Sequence, residues 1–593
     1  MLANPWKGPT LPLILIVGVF MAVVALTVSD PYFQLVMSMV PIWATVGLSW
    51  NLFSGYTGLI SFGHATFVGL GAFTVAILVI YLGVWPWIGI LAGAAIGALA
   101  SIVIGSITFR LRGHYFALAM LAYPSLFIFF FDWMSWQELS FPMQRDEPIL
   151  WMQFEDPRVN TLLGIAMMIA VLILTHVVER SRFGLAMLSI KQNEFAAEAA
   201  GINTFRIKMI AFTMSGALGG LVGAFYATVL HLVTPQGVLG PLVSAQALII
   251  TLFGGIGTLW GPVIGATVLI PLTEALRAEL GYILPGIQGV IYGLTIMLVI
   301  IVAPEGVFWR VRDILARRRP PAVVTTVPLP VPRTTTPAAP LAQPRVPGTI
   351  LLEVEGLAKS FGGLQAVKNV SFTVRAGSIV GIIGPNGAGK TTLFNLLNGF
   401  QKPNAGRVTF CGKDLIGLKP SAICSLGVGR TFQVARPFAR MSVLDNVVVG
   451  ALSSTESRDA ALERAHGALI VVGLDARAGV RVSELTNLEL RLMELARALA
   501  SGPTLLLLDE TLAGLGATEV EAILPVISKL PAEGVTVLII EHTMHAMTRL
   551  AEHFVVLDHG QVIADGPPSA VMNEPAVIEA YLGKRWMDMH AHA

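Results

Sequence analysis

At 593 residues the chain has room for more than one domain, and a composition 54% hydrophobic and 13% charged excludes an ordinary soluble protein, in which about a quarter of residues are charged. From Met1 to Phe109 the only charged residues are Lys7 and Asp30, a deficit that places this half of the chain in a membrane. The net charge of +2 comes without a single basic patch, so nucleic acid is not an expected partner. The two cysteines, Cys411 and Cys424, read as inert thiols of a reducing compartment rather than a disulfide framework.

Lys7 and the apolar run Leu11–Val28 imitate a signal peptide, but no small-residue cleavage site precedes the next run, and an uncleaved first span is expected. Further runs at Phe33–Phe53, Leu59–Leu82, Trp87–Phe109, Tyr115–Phe131, Thr161–Val178, Ile207–Leu230 and Ile283–Ala303 can each cross a hydrocarbon core about 30 Å thick. The positive-inside bias puts Arg110–Arg112 and the stretch Arg180–Lys208 in the cytoplasm, and the acid-rich loop Asp132–Asn160 outside.

The run Val243–Pro271 is interrupted by "FGGIGTLWGP" at Gly254, Gly255 and Gly257. One crossing here would put the second half of the chain outside the cell, where the motifs it carries, set out below, could not work. The count closes if this run enters and leaves on one side as two half-helices joined at the glycines; the alternative is a single kinked span. The glycine-rich segment Asn51–Phe73 reads as close helix packing, with a pathway-lining broken helix as the sharper alternative. His64 within it is expected to make a structural hydrogen bond rather than relay protons.

The segments "SGYTGLISFGHATFVGLGAF", "RLRGHYFALAMLA", "RFGLAMLSIKQNEFAAEAAGINTFRIKMIAFTMSGALGGLVGAFYA" and "FGGIGTLWGPVIGA" occur in this order across residues 10–305. In that they resemble the membrane subunit of the branched-chain amino-acid uptake systems among ABC transporters. The loop Phe131–Asn160 departs from that family: "SFPMQRDEPILWMQFEDP" replaces a glycine-rich segment. The resemblance implies that a short cytoplasmic helix within Ser189–Asn203 sits in a groove of an ATPase and transmits its motion.

Residues 317–348 carry nine prolines and almost no apolar periodicity. As extended polyproline II this linker would reach on the order of 90–100 Å. Such a tether does not fix geometry; it keeps two joined subunits at high mutual concentration. The expected domains are therefore a permease over 1–316, the linker over 317–348 and an ATPase over 349–593.

The second half opens with strand-like alternation and reaches Gly384, Pro385, Asn386, Gly387, Ala388, Gly389, Lys390 and Thr391, followed by Thr392. This is G-x-x-x-x-G-K-[ST] between a β run, Ser378–Ile383, and a helix, the context a phosphate-binding loop needs. Its glycines let backbone N–H groups close around phosphates, Lys390 reaches the β- and γ-phosphates, and Thr391 offers a hydroxyl to Mg²⁺. The buried run Leu505–Leu508 ends at Asp509 and Glu510, one suited to a Mg²⁺ shell and the next to polarising a water. A second buried run, Thr536–Ile540, leads to His542, a candidate sensor of the γ-phosphate.

This order resembles the ABC ATPase family, and "FGGLQAV", "LARALASGPTLLLLDE" and "VLDHGQVIADGPPSAVMNEPAVIEAYLG" resemble the ATPase subunit of the branched-chain systems over about 350–583. The resemblance implies ATP and Mg²⁺ as cofactors, Phe361 stacked on adenine, and Gln433 joining the metal site to the membrane subunit. It makes Thr391, Gln433 and Asp509 the metal residues, and Glu510 and His542 the catalytic and switch residues. The fold class expected is a polytopic α-helical membrane domain followed by an α/β P-loop ABC ATPase.

The signature that lends phosphate contacts to a partner's nucleotide departs from the family. "LTNLELR" puts Leu488 and Glu489 where small or neutral polar residues are expected, and Gly516 replaces an acidic or amide residue. Leu488 is expected to block close approach of the backbone, and Glu489 to set like charge against a triphosphate. Expected partners are a second permease subunit, a second ATPase in a heterodimer rather than a homodimer, a solute-binding protein outside a bacterial cytoplasmic membrane, and a small-molecule substrate. The function expected is ATP-driven import of branched-chain or related hydrophobic amino acids. The alternatives are import of another small solute (urea, an amide, an aromatic or other carboxylate) or an ATP-binding regulatory subunit with weak hydrolysis.

Overall fold

The computed structural model describes residues 9–111, 113–144, 146–280, 287–302, 306–310 and 345–582. Arg112 and nearly all of the 317–348 linker lie outside the described residues. The chain divides into two compact units, one of Met1–Lys191 with Phe205–Val323, the other of Gln192–Thr204 with Val324–Ala593.

The first unit is helical: α1 (Thr10–Thr27), α2 (Pro31–Trp50), α3 (Ala65–Leu82), α4 (Pro86–Thr108), α5 (His114–Trp133), α6 (Pro157–Glu179), α7 (Arg182–Gln192, reaching the next unit at its last residue), α9 (Thr204–Leu230), α10 (Pro235–Leu239), α11 (Pro241–Gly254), α12 (Gly261–Leu280) and α13 (Ile287–Val302). Eight helical segments among the described residues are long and apolar enough to cross a membrane. Asp30 and Asp156 accept backbone N–H bonds at the starts of α2 and α6, with proline in the first turn of each. α2 is the hub, with 83% of its span buried against 17% for α1. Phe20, Leu91 and Phe129 stand more than 60% exposed on α1, α4 and α5, faces suited to lipid and not to water.

The interrupted run forms a hairpin joined at the glycines, as expected, with arms of unequal length. The first arm is broken at Gly240, so that α11 has 14 residues, about 21 Å of helix, while α12 has 20 residues. Pro271 does not end α12, because the helix continues past it to Leu280. The arms close on glycine: a Cβ at Gly265 would stand 1.9 Å from the Ile250 carbonyl oxygen, and one at Gly254 1.7 Å from that of Gly261.

Hydrogen bonds order the ends of the hairpin. Asn51 donates to Thr258 O at 2.9 Å and accepts from Gly257 N at 2.8 Å, while Lys191 Nζ donates to Gly55 O at 2.6 Å. The glycine turn therefore shares an end with the basic connector after α6. At the other end Tyr32 Oη donates to Glu274 O at 3.0 Å. There too β1 (Leu139–Ser140) of the acidic loop pairs antiparallel with β2 (Leu232–Val233).

The glycine-rich segment packs closely, a Cβ at Gly71 meeting Gly220 O at 2.0 Å. α2 also ends in a π turn over Asn51–Gly55, and the chain unwinds before α3. His64 is buried, with Nε2 2.7 Å from Ser49 Oγ, the structural bond expected of it.

The second unit contains two sheets. The first runs β4 (Leu364–Arg375), β3 (Ile350–Phe361), β6 (Ala405–Phe410), β7 (Lys413–Asp414), all antiparallel. The second runs β12 (Gln561–Gly566), β11 (His553–Asp558), β5 (Ile379–Ile383), β10 (Thr536–Ile540), β9 (Leu505–Asp509), β8 (Val428–Arg430), parallel except for β12. Every residue of β5, β9 and β10 is buried, the mark of central strands covered on both faces. Loops leaving the carboxyl ends of such strands form the crevice where ligands bind in open α/β sheets.

Candidate nucleotide site and signature

The phosphate loop leaves β5 and enters the helix Lys390–Leu397. Gly384 (φ 148) and Gly389 (φ 99) have left-handed backbones, and a Cβ would stand 2.0 Å from Leu557 O at the first and 2.2 Å from Ala366 O at the second. Only glycine meets both demands. Between them lie Pro385, Asn386, Gly387 (φ 83) and Ala388, whose N–H donates to Pro385 O. Lys390 folds back to donate to Gly384 O at 2.7 Å and Pro385 O at 2.9 Å. Burial pushes its ammonium below the usual lysine range, and the carboxylates of Glu510 and Asp509 partly offset this. Thr391 and Thr392 occupy the first turn of the helix.

Glu510, directly after β9, has φ 47 and donates its N–H to Ile540 O at 2.9 Å, so its backbone is held across the next strand in a conformation few side chains adopt. Its carboxylate bridges two other expected residues: Gln433 Nε2 lies 2.8 Å from Oε2, and His542 Nε2 2.9 Å from Oε1. Phe361 stands apart at the end of β3, 45% exposed, with Lys359 Nζ 5.3 Å from its ring centroid.

Asp509 is buried, and burial raises its carboxyl above the usual range, with Arg430 opposing. Its Oδ2 accepts from Arg430 at 3.0 Å, while Oδ1 has no hydrogen-bond partner. A buried orphan oxygen beside the phosphate loop fits the acceptor a Mg²⁺ shell requires. Sequence reasoning missed Arg430, although it stands three residues before Gln433; its partner is 79 positions away. Glu541 was missed as well. It accepts the Leu512 N–H at 2.6 Å, and burial pushes its carboxyl up to about 7.

The signature differs from expectation. Thr486 caps the helix Asn487–Ala500: its hydroxyl accepts from Glu489 N at 3.3 Å, and its own N–H donates to Glu489 Oε2 at 2.9 Å. Arg477 clamps the same carboxylate with bonds of 2.9 and 3.2 Å. Glu489 is 8% and Leu488 2% exposed. Neither side chain faces outward, and the Glu489 charge is paired with Arg477 rather than left open. Burial would raise the Glu489 carboxyl, but the bonds from Arg477 and Thr486 outweigh it and hold it below the usual range. Gly516 caps the next helix, donating to Glu519 Oε2 at 2.8 Å.

The expected coupling stretch Ser189–Asn203 is two helices, because Asn193 (φ −158) breaks the run and caps α8 (Glu194–Ala199) through Ala196 N. Only Gln192–Thr204 clusters with the second unit. Gln192 Oε1 accepts Arg440 N at 2.8 Å, the Phe195 ring packs 5.9 Å from Phe400, and a Cβ at Gly201 would collide with Ser453.

Three family matches lie along the chain. The family described as branched-chain amino acid transport system, permease component, matches residues 32–301; ABC transporter matches 367–513; and branched-chain amino acid ATP-binding cassette transporter matches 561–586. The high-affinity branched-chain amino acid transport ATP-binding protein LivG of Salmonella typhimurium is 40% identical over 250 residues, 40% of this chain and 98% of that protein. BraF of Pseudomonas aeruginosa, with the same description, is 39% identical over the same shares. A nucleotide-free ATP-binding cassette from an ABC transporter is 32% identical over 40% of this chain and 100% of its own, with a TM-score of 0.37.

Proposed function

We propose a working cycle for a chain that belongs to the branched-chain amino-acid transport family of ABC transporters, with its permease and ATP-binding cassette fused in one polypeptide. The cycle imports branched-chain or related hydrophobic amino acids across a bacterial cytoplasmic membrane, with the cassette in the cytoplasm. A second permease subunit, a second cassette and an extracytoplasmic solute-binding protein complete it. Glu510 carries the reading, because its carboxylate is held from both sides by Gln433 and His542 beside the phosphate loop.

In this reading Phe361 stacks on adenine, and the loop Gly384–Gly389 with Lys390, Thr391 and Thr392 cradles the phosphates. Thr391, Gln433 and Asp509 would hold Mg²⁺, which when bound supplies charge stabilisation at the phosphate oxygens. Lys390, now folded on its own loop, swings to the phosphates. Glu510 orients and polarises the attacking water as its bond to Gln433 or His542 opens, and His542 then reports the γ-phosphate. Gln433 and α8 pass the change toward the permease.

The heterodimer keeps its support, on a revised physical ground. The Thr486 and Glu489 N–H groups at the signature are already paired within the chain, and Leu488 fills a position where a small or neutral polar residue is expected. What this chain lends to a partner's nucleotide is reduced, while what it offers its own is retained. Uptake of radiolabelled leucine by the reconstituted assembly tests the import reading. Loss of uptake with Glu510→Gln, with ATP binding kept, supports an engine; unchanged uptake makes the chain a regulator. Full turnover by the chain as a homodimer rules out the heterodimer.

A further inference from the structure

The floor under α8 is a charged group, and that group also holds the metal carboxylate. Arg430 is 5% exposed and forks between two acceptors, Asp509 Oδ2 at 3.0 Å and Asn395 Oδ1 at 2.8 Å. Its guanidinium is enclosed by the rings of Phe394, Phe400 and Phe432, 5.4–5.9 Å from their centroids. Two of these rings lead on to α8. Phe400 packs against Phe195, and Phe432 lies under Arg436, 4.8 Å away, whose guanidinium also stands 5.3 Å from the Phe195 ring. A cavity no larger than one water molecule, lined by Ala196, Ala199, Arg430, Phe432 and Ser501, lies against the stack.

We propose that Arg430 is a positioning residue that couples the seat of α8 to the presentation of Asp509 to Mg²⁺, by a route that does not pass through Gln433. The inference rests on the readings of α8 as the coupling helix and Asp509 as a metal residue. The fork fixes Oδ2, so the direction of the unpartnered Oδ1 follows the guanidinium plane. Displacing Phe195 loosens two of the three rings that set that plane. A carboxylate turned off axis serves a metal shell less well, so the assembly with α8 unseated needs more Mg²⁺ to hold nucleotide. A buried ion pair kept only for packing would not transmit this; energetic coupling between sites requires a demonstrated non-additivity.

The test uses the assembled transporter and a fluorescent ATP analogue, titrated with Mg²⁺ under non-turnover conditions. Phe195 is half exposed, so Phe195→Ala leaves the fold intact; Arg430→Lys keeps the charge and removes only the planar fork. We expect Phe195→Ala to raise the Mg²⁺ concentration for half-maximal binding about threefold and Arg430→Lys about tenfold, with the double variant within about twofold of Arg430→Lys alone. Mg²⁺-free binding stays at the wild-type level in all three. An unchanged Mg²⁺ requirement in Phe195→Ala, or fully additive shifts, overturns the proposal; should Arg430→Lys fail to fold, Phe195→Ala alone decides. Because the readout needs no turnover, it is independent of the Glu510→Gln uptake result that tests the import cycle.

Discussion

The ends of β9 and β10 and the start of the signature helix are the two regions proposed to meet nucleotide, and they satisfy their polar groups in opposite ways. At the strand ends, charges are set against each other but left with spare capacity: Asp509 has a free buried oxygen, and Glu510 is gripped through single bonds to Gln433 and His542. At the signature, Glu489 consumes its whole carboxylate on Thr486 and Arg477. A site that must take up and release a ligand keeps groups unsatisfied or loosely satisfied; a region closed upon itself has gained stability and given up exchange.

The comparison breaks at different strengths. Glu510→Gln should lower ATP hydrolysis about 10³-fold while a fluorescent nucleotide still binds; retained turnover would remove Glu510 from the chemistry. Next comes pH. Glu541 has its carboxyl raised from 4.5 to about 7 by burial, so the folded cassette binds more protons than the unfolded chain in that window. The stability present at low pH is lost as pH rises through about 7, and Glu541→Gln should escape that loss. Its stability advantage over the parent, read as a rising Tm difference, should therefore grow between about pH 4.5 and 7, by on the order of 3 kcal/mol, and level off above. A parallel pair of Tm curves would contradict this.

Arg477→Ala leaves the Glu489 carboxylate without its clamp and should cost about 2 kcal/mol in thermal unfolding, largely recovered by adding Glu489→Gln. Binding of the chain's own nucleotide should not change, and a change there would dissolve the contrast between the two regions. The smallest effect belongs to Thr486→Ala, which removes a helix cap worth about 1 kcal/mol, again read as a Tm shift with own-nucleotide binding intact.

These two regions were not equally legible in the sequence. The phosphate loop could be read because its backbone imposes glycine at Gly384 and Gly389, and a positive φ leaves a mark at the position itself. Asp509, Glu510 and His542 followed from apolar runs ending in polar residues, and those runs are fully buried strands. Arg430 and Arg477 could not be read that way: their roles depend on partners brought near by sheet order and by a turn. The signature departure was visible, but the direction of its side chains was not, because a glutamate at N3 of a helix can face out or close a capping box. In the membrane unit the glycines announced the hairpin. Packing against α2 carries α12 past Pro271, where the apolar run ends, to Leu280.

The clamp of Arg477 on Glu489 also bears on the history open to this chain. Placing a neutral amide at 489 alone would strand a guanidinium that is 17% exposed, and placing a small residue at 488 alone would hollow out a position now filled by a buried leucine. Each single step back toward a signature that lends phosphate contacts passes through a less stable protein before any lending returns. In a heterodimer such as the one proposed, the altered signature would therefore act as a ratchet, keeping this cassette tied to its partner.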